Sequence, residues 1–287
     1  MSNLEDLFPD VRESGDTPLR QCQLVMLRML KIFDMLCLKH GVEYFLTGGS
    51  LIGAVRHNGF IPWDDDLDVG MTRSNYELFI SKVVPELPND MFFQSDLTDK
   101  YYPAGDFVEA RLRDKYSSYK HLDQPNNKWQ EGFQIDLFIY DKAFLPNNFL
   151  IICQNMLLSL FGSNKTRSNI LKWIEKKTPF TLVYASSYLK NFGMLNLGTY
   201  ITAQEYSQLI RHKFEDTESY IPLGWDSYLR RQYGDYMLMP PEGKRIANHK
   251  VKPEPFTPCN HTQILFWEDR GEFIKHKGWE AKTQNSS

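Results

Sequence analysis

The chain has 287 residues, with 33 Lys and Arg against 36 Asp and Glu, a formal net charge of −3 and a hydrophobic share of 42%. That apolar content is enough for a packed core and excludes global disorder. The slightly acidic balance argues against nucleic acid as a partner, because broad electrostatic binding needs a surplus of Lys and Arg on one face.

Residues 1–17 are acid-rich, with Glu5, Asp6, Asp10, Glu13 and Asp16 against Arg12. They lack the basic and apolar regions of a secretory signal and are expected to form a flexible, loosely ordered arm. Thr17-Pro18 is a helix start, a hydroxyl cap followed by proline at the first helical position. Apolar residues recur at helical spacing from Leu19 to His40, with Met26, Leu30, Phe33 and Cys37 on one stripe, and Gly41 is a natural stop. Val42 to Thr47 reads as a strand, which Gly48-Gly49-Ser50 joins to a second helix, Leu51 to His57. Asn58-Gly59 makes a turn, and Pro62-Trp63 leads into the acidic run Asp64-Asp65-Asp66-Leu67-Asp68, with a strand expected over Asp66 to Met71. Asn75 to Val84 reads as helix, and Met91 to Ser95, Phe107 to Arg113 and Phe133 to Tyr140 as strands. In the last of these, Phe133, Ile135, Leu137 and Ile139 alternate with Gln134, Asp136 and Phe138.

Interleaved strands and helices imply an α+β fold with a mixed sheet flanked by helices. Past about residue 145 the pattern predicts helices at Phe149 to Phe161, Asn169 to Lys177 and Ala203 to Glu215, hence a mainly helical C-terminal lobe with a basic tail. The expected organisation is an arm over 1–17, a catalytic core over 18–145 and the lobe over 146–287. Phe149 to Phe161, followed by Lys165, Arg167, Lys172, Lys176 and Lys177, fits either a buried lobe helix or a peripheral contact with anionic lipid. Cys22, Cys37, Cys153 and Cys259 are too few and too scattered for a disulfide framework and read as free thiols of a reducing cytoplasm. The expected location is cytoplasmic, either free or peripheral at the inner membrane face.

Chemistry concentrates in two neighbouring motifs. Asp66 and Asp68 are two apart on the expected strand, so their carboxylates project from one face. At about 5.5 Å and an effective dielectric near 20, two such charges repel by about 3 kcal/mol, and a divalent cation that prefers oxygen ligands offsets that cost. Gly48-Gly49-Ser50 lets backbone N–H groups approach an anion at a helix N-terminus, with the Ser50 hydroxyl as a further donor. Asp136, in an otherwise apolar strand, is the natural third carboxylate, either a metal ligand or the group that takes a proton from an acceptor hydroxyl. Neither an EF-hand nor a P-loop fits. The first needs a glycine after the third acid and a closing glutamate, where Val69 and Asn75 stand, and the second needs Gly-Lys-Ser/Thr.

The stretch Leu46-Thr47-Gly48-Gly49-Ser50 through Ile61-Pro62-Trp63-Asp64-Asp65-Asp66-Leu67-Asp68-Val69 resembles the signature of the LicD family. That family belongs to the nucleotidyltransferase-fold superfamily and is related to fukutin-related protein. The resemblance continues through Ala110 to Asp114, Ile135-Asp136-Leu137-Phe138 and, near the end, Tyr233-Gly234-Asp235-Tyr236-Met237, Pro240-Pro241-Glu242 and Lys244-Arg245. It implies a nucleotidyltransferase-like core that transfers a phospho-alcohol, most often phosphocholine, from a CDP-activated donor to a hydroxyl of a glycan or lipid-linked glycan. Asp66, Asp68 and Asp136 would bind Mg²⁺, or Mn²⁺ in its place, and Gly48, Gly49 and Ser50 would hold donor phosphates. The zinc-binding cysteines of animal relatives have no evident counterpart.

Arg111 and Arg113 share a strand face and are either phosphate forks or partners of Asp106, Glu109 or Asp114. Arg56 either caps its helix or contacts donor phosphate. Lys244, Arg245, His249 and Lys250 form either a basic loop that closes over an anionic donor or a solvated tail. Trp63, Tyr236 and Trp129 are candidates for holding a choline head. Two other readings stay open: nucleotidyl transfer to a small molecule, and a catalytically degenerate binding module.

Overall fold

The computed structural model describes residues 4–95, 98, 99, 101, 102, 108–122, 128–143, 173, 182–185, 200–247, 249 and 251–259. The expected helix at Phe149 to Phe161, all of Asn169 to Lys177 except Trp173, Cys153 and Lys250 lie outside these residues.

A single turn, α1 (Leu4–Leu7), precedes the long α2 (Pro18–His40). The Thr17 hydroxyl accepts from the Arg20 N–H at 3.1 Å. At the other end Gly41 is left-handed, with Val42 N–H to Cys37 O at 2.9 Å and Gly41 N–H to Leu38 O at 3.3 Å, a Schellman stop. Met26, Leu30, Phe33 and Cys37 are fully buried, as their spacing predicts. The helix is wrapped on its flanks as well. Arg28 pairs with Asp90 at 2.8 Å, and Asp34 accepts from Tyr44 and Arg211.

Strands β1 (Phe45–Leu46), β2 (Asp68–Thr72), β3 (Met91–Gln94), β4 (Ala110–Asp114) and β6 (Gln134–Ala143) form a sheet in the order β1-β2-β6-β4-β3. Strand β7 (Leu182–Ala185) joins the far half of β6, and β8 (Tyr200–Thr202) joins β7. Among the described pairings β2–β6 is parallel and the rest antiparallel, so the sheet is mixed. Strand β5 (Ser118–His121) pairs with β11 (Val251–Glu254) in a separate ribbon. Helix α3 (Gly48–His57) begins three residues earlier than its apolar pattern suggests, because the glycines themselves form its first turn. The helical course after β2 runs as α4 (Arg73–Leu78), a π turn at Phe79–Val83 and a 3-10 turn at Val84–Glu86.

Three expectations change. Ala203 to Glu215 is not a helix. Leu209–Phe214 is strand β9, hairpinned to β10 (Thr217–Pro222), and Ala203 to Ser207 is turn. Leu209, Ile210 and Phe214 satisfy a helical period, but pairing with β10 buries Phe214 and Ile221 completely, and that long-range gain decides. Second, among the described residues above 200 strand outweighs helix, α5 (Trp225–Tyr233) being the one helix of more than a turn there. Third, the N-terminal arm is anchored. Arg12 is 1% exposed, reaches both Asp114 oxygens, at 2.9 and 3.3 Å, pairs with Asp10 at 2.7 Å and donates to the Pro255 carbonyl at 2.6 Å. Its sequence neighbourhood is polar, so the anchor shows only in three dimensions. Among the described residues no helix is long and apolar enough to cross a membrane.

Arg12→Met leaves Asp10 and Asp114 buried without their cation. It is expected to destabilise the protein by about 3–5 kcal/mol, read from the shift of a urea unfolding curve. A loss below 1 kcal/mol would show that the arm contributes little.

Candidate active site

The turn from β1 into α3 sets the floor of the site. Thr47 is extended, and Gly48 has φ +55°, a conformation that other residues adopt at a cost. A Cβ on Gly48 would lie 2.5 Å from Asp68 Oδ2, and one on Gly49 would lie 2.8 Å from Asp64 Oδ2. The two glycines therefore admit two carboxylates against the helix N-terminus. The Thr47 hydroxyl meets the phenols of Tyr140 and Tyr228 at 3.0 and 2.9 Å, which fixes the turn to β6 and α5.

The register of β2 and β6 sets Asp68 directly opposite Asp136, and β4 sets Arg111 on the other side of Asp136. Arg111 Nε donates to Asp136 Oδ1 at 2.8 Å. Asp66 lies in the loop just before β2, not on a strand, so strand alternation does not align it with Asp68. It reaches the cluster through the loop. Oxygens of Asp64, Asp65 and Asp66 all lie within 4.8 Å of one another. Burial, then Asp64, raises the pKa of Asp66, and burial, then Asp66 and Asp136, raises that of Asp68. Asp64 is pushed up to about 6 by burial and then by Asp65.

Beneath the run, Asp64 N–H donates to Ile61 O at 2.9 Å, and Gln23 Nε2 donates to the carbonyls of Ile61 and Asp64. The Tyr119 hydroxyl donates to the Asp65 carbonyl and meets the buried Cys22 thiol. The Asp65 side chain is buried, and its Oδ2 has no partner among the described residues.

The remaining expected residues divide. Ser50 Oγ accepts from the Asp68 N–H at 2.8 Å and is buried, so it braces Asp68. His249 closes the site from the C-terminal segment, with Nδ1 2.9 Å from Asp65 and Nε2 3.7 Å from Asp66. Its hydrogen bond to Asp65 and the charge of Asp66 raise its pKa to about 9. Arg113 shares its strand face with Arg111 but is 1% exposed. Its guanidinium serves Gln94, the Gly132 carbonyl and Gln134, and burial with Arg111 nearby lowers its pKa to about 10. Arg56 donates to the Tyr236 carbonyl at 2.6 Å and to His57, fastening the C-terminal segment to α3. Arg245 donates to the Pro240 carbonyl and lies 5.9 Å from the Trp63 ring centroid. Tyr236 is buried with its hydroxyl on Asp226. Asp64, which the sequence offers only as the first acid of the EF-hand spacing that does not fit, joins Asp65 and Asp66 in the cluster.

With this geometry in view, residues 41–144 match the family model described as LicD/FKTN/FKRP, nucleotidyltransferase domain. That segment is a LicD-family domain. The chain is 28% identical over 254 residues to the lipopolysaccharide cholinephosphotransferase LicD of Haemophilus influenzae, covering 80% of this chain and 96% of that protein. It is 61% identical over 31 residues to the human ribitol 5-phosphate transferase FKRP, 11% of this chain and 6% of the relative. An uncharacterized protein of Rickettsia prowazekii is 28% identical over 181 residues, 55% of this chain and 66% of that protein.

The crowding predicts a pH dependence. With its pKa raised to about 6, Asp64 holds its proton more tightly folded than unfolded, so its contribution to stability falls as pH rises from about 4 through 6. His249, raised to about 9, stabilises while protonated, and that contribution is lost as pH rises from about 6.5 through 9. In EDTA the melting temperature is expected to fall from pH 5 to pH 9. Asp64→Asn should remove the earlier part of the fall and His249→Gln the later. A melting temperature independent of pH across that window would contradict the crowding.

Proposed function

We propose that this chain transfers a phospho-alcohol, phosphocholine in the first instance, from a CDP-activated donor to a hydroxyl of a glycan or lipid-linked glycan. The observation that carries the reading is Asp68 facing Asp136 across β2–β6, beside glycines that open the N-terminus of α3. The name of the Haemophilus relative, a lipopolysaccharide cholinephosphotransferase, supports phosphocholine and a glycan acceptor. That of the human relative supports the wider class of phospho-alcohols.

Mg²⁺, or Mn²⁺, fits the donor set. Asp64, Asp66, Asp68 and Asp136 offer oxygen alone, and three of them have raised pKa values that a divalent cation would reverse. Bound there, the ion would supply neutralisation of the donor pyrophosphate and of the departing CMP. The chain does the rest. The N–H groups of the first turn of α3 face anions, and Ser50 keeps Asp68 in place through its backbone. Arg111 holds Asp136 in one orientation, and Asp136 orients the acceptor hydroxyl and takes its proton as the oxygen attacks phosphorus.

CMP release from CDP-choline in the presence of Mg²⁺ tests the reading. Asp68→Asn and Asp136→Asn should each lower it by at least about 100-fold. Asp68→Asn should melt no lower than wild type in EDTA, because it removes like-charge repulsion. Pyrophosphate release from a nucleoside triphosphate would favour nucleotidyl transfer instead. No turnover of CDP-choline, CDP-ribitol or CDP-glycerol would favour a binding module.

A further inference from the structure

The β9–β10 hairpin breaks a local rule. Its two-residue turn is Glu215-Asp216, and Glu215 has φ +56°. The first position of such a turn, when left-handed, favours glycine, and a glutamate there costs backbone energy. Strain of this kind persists where the surroundings enforce it and often marks a working position.

Glu215 spends both its backbone and its carboxylate on one target. Its N–H donates to the Asn58 carbonyl at 2.6 Å, and its Oε1 accepts from the Phe60 N–H at 3.2 Å. The fit is tight, since a Cβ on Gly59 would lie 2.5 Å from Glu215 Oε1. Arg20 completes the grip, donating to Glu215 at 3.2 and 2.8 Å and to Gln23 Oε1 at 3.1 Å. Gln23 in turn donates to the carbonyls of Ile61, at 3.3 Å, and Asp64, at 3.0 Å. One hydrogen-bonded chain thus runs from the hairpin tip through Arg20 and Gln23 to the backbone of Asp64. A second runs through Asn58 and Phe60 into the same loop.

We propose that Glu215 is a positioning residue, setting the acidic run Asp64–Asp66 for cation binding from a hairpin about 150 residues further along the chain. The inference rests on the metal-dependent reading of the site given above. Glu215 touches neither carboxylate nor substrate. It acts by holding the loop at both ends, so that three mutually repelling side chains meet a cation without first paying to order the backbone.

Titration of Mn²⁺ alone into the full chain, followed by electron paramagnetic resonance, tests this. Glu215→Ala should weaken Mn²⁺ binding by about tenfold. Glu215→Gln, which keeps the acceptor for Phe60 and loses the charge on Arg20, should melt lower than wild type yet bind Mn²⁺ within about twofold of it. Arg28→Ala breaks the buried pair with Asp90 elsewhere on α2, so it should lower the melting temperature and leave Mn²⁺ affinity unchanged. Wild-type affinity in a folded Glu215→Ala overturns the proposal, as does an affinity that falls with melting temperature across all three variants. Should Glu215→Ala fail to fold, Glu215→Gly, which relieves the left-handed φ while deleting the carboxylate, should show the same tenfold loss, and wild-type affinity in it overturns the proposal. A wild-type chain that binds no Mn²⁺ removes the metal-dependent reading itself, a different result from a variant that matches wild type.

Discussion

Concentrated negative charge is the constraint around which this fold is arranged. Asp64, Asp65, Asp66, Asp68 and Asp136 share one end of the β2–β6 pair, with Arg111 and His249 as the cations in contact among the described residues. Each like pair costs on the order of a few kcal/mol at such separations. The surrounding structure absorbs that cost in backbone bonds. Ser50 takes the Asp68 N–H, the Leu67 carbonyl takes the Asp136 N–H, and Gln23 and Tyr119 hold the carbonyls of Asp64 and Asp65. Under the metal-dependent function proposed above, a cation bound among these carboxylates would relieve the remaining repulsion.

The parts that hold the charge together come from far apart in sequence. The region above residue 200 closes onto the core at several points. Arg211 pairs with Asp34, Glu215 with Arg20, Tyr228 meets Thr47, and His249 reaches Asp65. Such long-range closure carries a loop-entropy cost, and the site is complete only when the last of these segments has docked.

What the sequence made legible follows from range. The caps of α2, its buried stripe and the pairing of glycines with acids are local or periodic signals, and the structure realises them. The alternation in β6 points Asp136 to the face it occupies beside Asp68. The hairpin at 209–222 was illegible, because Leu209, Ile210 and Phe214 satisfy a helical period and a strand partner leaves no mark on the strand itself. Arg113 shows the same limit. Its spacing with Arg111 is real, yet Gln94 and Gln134 bury it, and only the fold separates the two arginines. Arg12 was hidden by an acidic neighbourhood whose one cation lies inside the molecule.

Directly below the acidic run, Cys22 meets the Tyr119 hydroxyl, and that hydroxyl supports the Asp65 carbonyl. Burial raises the thiol pKa well above its ordinary value, so the sulfur stays protonated and unreactive while the loop is seated. In a variant that keeps Cys22 and replaces Cys37, Cys153 and Cys259, a sulfhydryl probe therefore reads the state of the loop from underneath. Slow labelling accompanies an intact floor, and faster labelling marks its loosening, with no need for substrate or metal.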